Sequence, residues 1–471
     1  MRLLFVSIIT LIAFLGALLF FIRGYAKSPT ALSRVAASPS ADWVKSAVVY
    51  EMFVRDFTPE GTFIAAEKKL PEIKALGATV IWLMPIHPIG KEKRKGEWGS
   101  PYAVQDYYAV SPDFGTKDDF KRFVAAAHAQ GLKVIIDMVA NHTAWDNALI
   151  KSHPEWYTKD STGNIISPNP DWLDVADLNY DSPELRKYMT EMMTLWIKEC
   201  DIDGYRCDVS ELIPIDFWRT LVPELKKVKP SLLMISEGTA PAHHIGAFDL
   251  TYAWNTYDAM VDISRGKKPA TALDDALELE AKIFPQGALR MRFNTNHDKN
   301  AYDGTPVELY GVQGAKATAV LAFTMGGYGS LQNVPMIYNG DEVGGEKRLT
   351  LFEKIPVDWQ GKHAAEFRDL YRKLIALRKS TPAMTEGEMA KLKTSSDETV
   401  FAFMRKTKES QVIVAVNFGT QEFTGFVKTD AGKMLTDYFD PSKQLLTKDG
   451  NLKLVLKPLE YRVFSVSAAK K

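Results

Sequence analysis

The chain has 471 residues, 46% hydrophobic and 25% charged, enough for one large domain with a smaller one beside it. Its 58 Lys and Arg balance 58 Asp and Glu, and no basic cluster stands out, so nucleic-acid binding is excluded as a function class. Two cysteines, Cys200 and Cys207, are too few for a disulfide framework or a thiolate zinc site.

At the N-terminus Arg2 precedes an uncharged apolar run over residues 3–22, followed by Arg23 and Lys27. The run is long enough to span a bilayer and longer than the apolar core of a usual cleaved signal. Gly24-Tyr25-Ala26 offers a small-x-small cleavage site, and no cysteine follows to carry a lipid. Residues 1–26 therefore read as a signal peptide or a membrane anchor, and the body is expected to be exported, to the periplasm or outside the cell. The heavier positive charge after the run is a contrary sign. Residues 27–40, rich in Ala, Ser and Pro, read as a linker.

Short β-rich runs then follow at residues 47–53, 79–85, 133–139, 204–209, 232–237, 248–252, 289–294 and 334–338. Several are apolar throughout, as parallel strands buried on both faces are. Helical stretches separate them. After Thr116, with Asp119 completing a capping box, Phe120, Phe123, Val124 and Ala127 share one face. Ser182-Pro183 opens a second helix with Leu185, Tyr188, Met189, Met192 and Trp196 on a stripe. Eight such pairs predict an α/β fold, a (β/α)8 TIM barrel over residues 41–382. Residues 143–182, rich in Asp, Asn, Pro and Trp, form an excursion domain after the third strand. Residues 383–471 change to alternating apolar runs and predict a C-terminal antiparallel β domain.

The chemistry of such a barrel lies at the C-terminal ends of its strands. Those ends carry Asp137 and Asn141-His142, Arg206 and Asp208, Glu237, and Asn296-His297-Asp298. On the fourth strand the period of two puts Arg206 and Asp208 on one side, while Tyr205 and Cys207 face the helices. An arginine beside a carboxylate is expected to hold it ionised, as a nucleophile requires. Carboxylates, histidines and one arginine at a barrel mouth suit acid/base and nucleophilic chemistry.

These four segments, in this order, resemble the conserved regions of the α-amylase family of glycoside hydrolases (family 13). Residues 49–55, 176–179 and 335–342 agree, as does the stretch from Gly99-Ser100-Pro101-Tyr102 to Phe114-Gly115-Thr116. The resemblance implies a retaining hydrolase of α-glucosidic bonds in malto-oligosaccharides or related α-glucans. It implies Asp208 as nucleophile, Glu237 as general acid and base, and Asp298 binding the hydroxyls of the sugar to be cleaved. It further implies that Tyr102 stacks on that sugar while His142, Arg206 and His297 bracket it. Asp137, Asn141, Asp177, Asp341 and Glu342 read as structural.

The departures also carry information. Glu211-Leu212 stand where many endo-acting relatives have Lys-His on the leaving-group side, and Gly238-Thr239 follow Glu237 in place of an aromatic. A short Glu60-Gly61-Thr62 turn replaces an acidic calcium loop, so no metal and no cofactor is expected. Residues 209–219 are similar to the neopullulanase and cyclomaltodextrinase branch. Two other readings use the same resemblance: a transglycosylase or sugar isomerase working through the same intermediate, and a non-catalytic amylase-like membrane subunit. The complete set of Asp208, Glu237 and Asp298 argues against the last. The expected partner is an α-glucan or malto-oligosaccharide, with no nucleic acid, and with membrane attachment through residues 3–22 where the run is retained as an anchor and not cleaved.

Overall fold

The computed structural model describes residues 29–447 and 449–468. The signal peptide or anchor expected at residues 1–26 lies outside them. Among the described residues no helix is long and apolar enough to cross a membrane. The part of the expected linker that is described does not run free. Thr30 N–H donates to Lys282 O at 2.8 Å, Ala37 N–H to Gln286 O at 2.9 Å and Ser38 N–H to His244 O at 2.8 Å. Residues 30–38 thus form a strap against the base of the barrel.

The strands are β1 (Val49–Met52), β2 (Val80–Leu83), β3 (Lys133–Met138), β4 (His142–Ala144), β5 (Val175–Asp177), β6 (Gly204–Cys207), β7 (Leu233–Ser236), β8 (Leu250–Tyr252), β9 (Leu289–Arg292) and β10 (Gln332–Tyr338). Eight of them close a parallel barrel in the order β1-β2-β3-β6-β7-β8-β9-β10. β4 and β5 pair antiparallel, His142 against Asp177, and form the root of the excursion. Alternation along each strand divides the core in two. Val49, Val80, Trp82, Ile135, Ile235, Tyr252 and Met291 fill the barrel, while their neighbours pack outward against the helices. At β6 the wall is close. Gly204 has φ of 154°, and a Cβ there would lie 2.0 Å from Leu233 O, so only glycine fits.

The helices follow from the pattern that predicts them. Lys117–Ala129 starts at a complete Thr116–Asp119 capping box and buries Phe120, Phe123, Val124 and Ala127. Pro183–Cys200 is capped by Ser182 and buries Leu185, Met189, Met192 and Trp196. Truncating a buried aromatic such as Trp196 costs about 3–5 kcal/mol. The crossover between β7 and β8 is shorter than the rest, a single 3-10 turn over Pro241–His244.

Beyond the helix Ala364–Ser380 the chain forms a six-stranded antiparallel sheet and a two-stranded one. Its own core holds Ile413, Phe423, Leu435, Leu454 and Phe464, while Phe401, Phe403, Val414 and Val463 join the barrel's outer core. The buried Arg405 ties the two units together, donating to Gln332 Oε1 at 2.6 Å, Gly387 O at 2.9 Å and Thr324 O at 3.1 Å.

Candidate active site

The ends of β3, β6 and β7 converge because their register is parallel: Asp137 pairs with Arg206, and Arg206 with Ile235 two residues before Glu237. Arg206 is fully buried and is the hub. Its Nη1 donates to both Asp137 oxygens at 3.0 and 3.1 Å and to Asp208 Oδ1 at 2.9 Å. Its Nη2 lies 3.0 Å from Glu237 Oε2, a charge contact rather than an aligned hydrogen bond. Its Nε donates to Tyr252 Oη at 3.1 Å, and the guanidinium lies 4.9 Å from the Trp82 ring centre.

One cation facing three carboxyls cannot keep all of them ionised. Burial pushes the Asp208 carboxyl well above its usual range, the nearby Glu237 charge adds to this, and Arg206 only partly opposes it. Burial acts on Glu237 in the same direction, but Arg206, the Val209 N–H and His297 outweigh it and hold that carboxyl low. The Val209 N–H donates to Glu237 Oε2 at 2.8 Å from a left-handed residue with φ of 36°. The two carboxyls therefore titrate together, as one pair, around Arg206. The guanidinium expected to keep Asp208 ionised is divided among Asp137, Asp208 and Glu237, so it opposes the burial of Asp208 only in part.

A second chain of contacts runs across the mouth. His297 Nδ1 lies 2.5 Å from Glu51 Oε1, and its Nε2 lies 2.7 Å from Tyr102 Oη and 3.4 Å from Asp298 Oδ2. Tyr102 Oη in turn donates to Asp137 Oδ2 at 3.1 Å. Burial alone would lower the His297 pKa, but the Asp298 and Glu51 carboxylates raise it to about 9. Both ring nitrogens then donate, as the imidazolium requires. The Tyr102 and His297 rings stack at 5.2 Å with 21° between their planes. Arg55, buried, holds the loop that presents Tyr102 through Leu351 O at 2.9 Å and Gly99 O at 3.2 Å. His142 is the opposite case: burial pushes it down to about 4, so it is neutral. Its ring sits 5.6 Å from that of Trp172 in the excursion. Asp298 begins the helix His297–Tyr302, which the Asn296 side chain caps at Lys299 N–H, 2.8 Å.

All seven residues singled out in the sequence thus gather at one mouth: Tyr102, His142, Arg206, Asp208, Glu237, His297 and Asp298. Sequence reasoning missed Glu51, Tyr252 and Trp172. Glu51 and Tyr252 lie two residues beyond inward-facing Val49 and Leu250, so strand alternation alone could have placed them. Trp172 lies in irregular chain and had no such signal. Asn141 Nδ2 bonds Asp177 Oδ1 at 3.3 Å, which fits its structural reading. Among the described residues no group of three or more His, Cys, Asp or Glu is arranged to hold a metal ion.

The α-amylase catalytic-domain family matches residues 45–172 and 169–350. The chain is 28% identical over 431 residues to an α-amylase of Haloarcula japonica, covering 87% of this chain and 60% of that relative. It thus spans less than two thirds of that longer protein. It is 27% identical over 444 residues to a cyclomaltodextrinase of Thermoanaerobacter pseudethanolicus, covering 83% of this chain and 73% of the relative. The crystal structure of a maltogenic α-amylase of Thermotoga neapolitana superposes with a TM-score of 0.82 at 32% identity, covering 91% of this chain and all of that one. A family match over more than half of the residues, with one barrel mouth collecting that family's motifs, settles the kinship: the chain belongs to the α-amylase family.

Proposed function

We propose that this protein hydrolyses α-glucosidic bonds in malto-oligosaccharides or related α-glucans, with retention, through a covalent intermediate on Asp208. The observation that carries this reading is the pair Asp208–Glu237: two carboxyls from neighbouring strands, 2.9 and 3.0 Å from the two terminal nitrogens of a single buried arginine. A nucleophile and an acid must differ in protonation, and two buried carboxyls around one arginine favour a single proton on the pair. Retaining enzymes hold the two groups about 5–5.5 Å apart. With a sugar between them Glu237 holds the proton and Asp208 is ionised, Arg206 Nη1 donating to its Oδ1 at 2.9 Å. Asp208 then attacks the anomeric carbon while Glu237 protonates the departing oxygen. Glu237, now ionised, takes a proton from water, which releases the sugar from Asp208.

Asp298 and the His297 imidazolium face the sugar hydroxyls, Tyr102 offers its ring, and neutral His142 donates from the other side. The names of the relatives, an α-amylase and a cyclomaltodextrinase, support an α-1,4-linked glucan as substrate. Export through residues 3–22, cleaved or retained as an anchor, completes the proposal and rests on the apolar run alone. Product analysis tests the reading. Maltoheptaose, pullulan and β-cyclodextrin are offered in turn, and the anomeric configuration is followed by proton NMR. The α-anomer of short malto-oligosaccharides is expected from at least one of them. A β-anomer would contradict retention, and products longer than the substrate would make transfer the main reaction.

A further inference from the structure

Two departures from the family pattern, Glu211 and Gly238, touch each other. Glu211 follows Asp208 by three residues in the turn Ser210–Leu212, and Gly238 follows Glu237 directly. A Cβ on residue 238 would lie 2.6 Å from Glu211 Oε1, 2.7 Å from its Cγ and 2.9 Å from its Cδ. The space that any side chain at 238 needs is already filled. The Glu211 Oε1 atom accepts the N–H groups of two successive residues, Thr239 and Ala240, the latter at 2.5 Å. One carboxylate oxygen thus clamps the first turn of chain beyond Glu237. The other side of that turn is fixed by Gly238 O, which accepts from Tyr252 N–H at 2.9 Å. Beneath it Ser210 Oγ and Ser236 Oγ bond at 2.7 Å, so the two loops are joined below as well as above.

We infer that Glu211 and Gly238 are a matched pair that shapes the leaving-group side of the site, with Glu211 as a positioning residue for the segment carrying Glu237. This rests on the hydrolase reading above. Glu237 delivers its proton to the oxygen of the departing sugar, so the chain next to it borders that sugar. With glycine at 238 the wall has no side chain, and the clamp of Glu211 replaces a bulky residue as the element that sets its position. Leu212, 58% exposed, adds an apolar edge at the same turn. The pair therefore acts on substrates whose leaving group is a sugar and much less on those whose leaving group is a single atom.

The test compares maltoheptaose with α-maltosyl fluoride, whose fluoride does not occupy the leaving-group side. The readout is the ratio of kcat/KM on the two substrates in the full chain. Gly238→Ala should lower that ratio about tenfold, because the methyl displaces Glu211. Glu211→Ala, which introduces no clash at an exposed position, should lower it as well. Glu211→Gln, whose amide oxygen can accept the same two N–H bonds, should restore most of what alanine loses. In the double variant the cost of Gly238→Ala should largely vanish, since the side chain it collides with is gone. Equal losses on both substrates would reduce the pair to a structural role, and additive effects would show that the two residues are not matched; either result overturns the inference. A wild type inert toward both substrates would instead sink the hydrolase reading, and the inference with it.

Discussion

Replacing Glu51 by glutamine removes one carboxylate from His297 at almost constant volume. Both side chains are buried, and the Nδ1–Oε1 distance is 2.5 Å. The difference between an ordinary 6.5 and about 9 corresponds to about 3 kcal/mol of preference for the imidazolium, supplied by Asp298 and Glu51 against the cost of burial. Because the folded pKa lies above the unfolded one, this stabilisation is complete below pH 6.5 and is lost as pH rises through about 9. Burial also raises the pKa of Glu51 itself, a cost that glutamine is spared, so the expected net loss at pH 6 is about 1–3 kcal/mol. Denaturant unfolding at pH 6 and at pH 10 measures it, and the penalty should shrink or reverse at the higher pH. Imidazole NMR should show the His297 titration moving down from about 9 in the variant. A wild-type His297 that titrates at or below 6.5, or a penalty identical at both pH values, would refute the reasoning.

Gly204→Ala should cost at least about 3 kcal/mol in chemical denaturation, since the new methyl would meet the Leu233 carbonyl inside the barrel wall. Near-normal stability would show that the wall gives way there. Chains starting at residue 29 and at residue 41 should differ in Tm by about 2–6 °C, because only the second loses the hydrogen bonds of residues 30–38; equal values would make the strap a mere passenger. Activity should survive a chelator, since Leu212 and the short Glu60-Gly61-Thr62 turn stand where the family resemblance would place a His and an acidic calcium loop. Loss of activity restored by calcium would contradict this.

The barrel was legible because parallel strands buried on both faces carry apolar runs, as in Val134-Ile135-Ile136, and because Thr116 and Ser182 mark their helices with local caps. His142, Arg206, Asp208, Glu237, His297 and Asp298 could be picked out because their motifs follow barrel strands, whereas Tyr102 lies on a loop and stood out only by resemblance. What escaped were relations between distant residues. Glu51 and His297 are 246 positions apart, and nothing near either reports the other. The division of Arg206 among Asp137, Asp208 and Glu237 was equally hidden, since a local rule, arginine beside aspartate, sees only one of its three partners. The strap at residues 30–38 looks like a linker in composition because its contacts are made largely by backbone groups and small side chains, which leave little mark in the sequence. The link between Glu211 and Gly238 needed coordinates for the same reason: each reads alone as a loss of a familiar residue, and only their contact makes them one feature.

The central claim is that Asp208 forms the covalent intermediate and Glu237 serves it as acid and base. Glu237→Gln, offered α-maltosyl fluoride, should complete the first step, since fluoride leaves with little help from an acid, and then stall for want of a base. Mass spectrometry of the digested protein should find the maltosyl group on the peptide containing Asp208, and Asp208→Asn should give neither label nor turnover. A label on any other residue, or near-normal turnover by Asp208→Asn, would contradict the account.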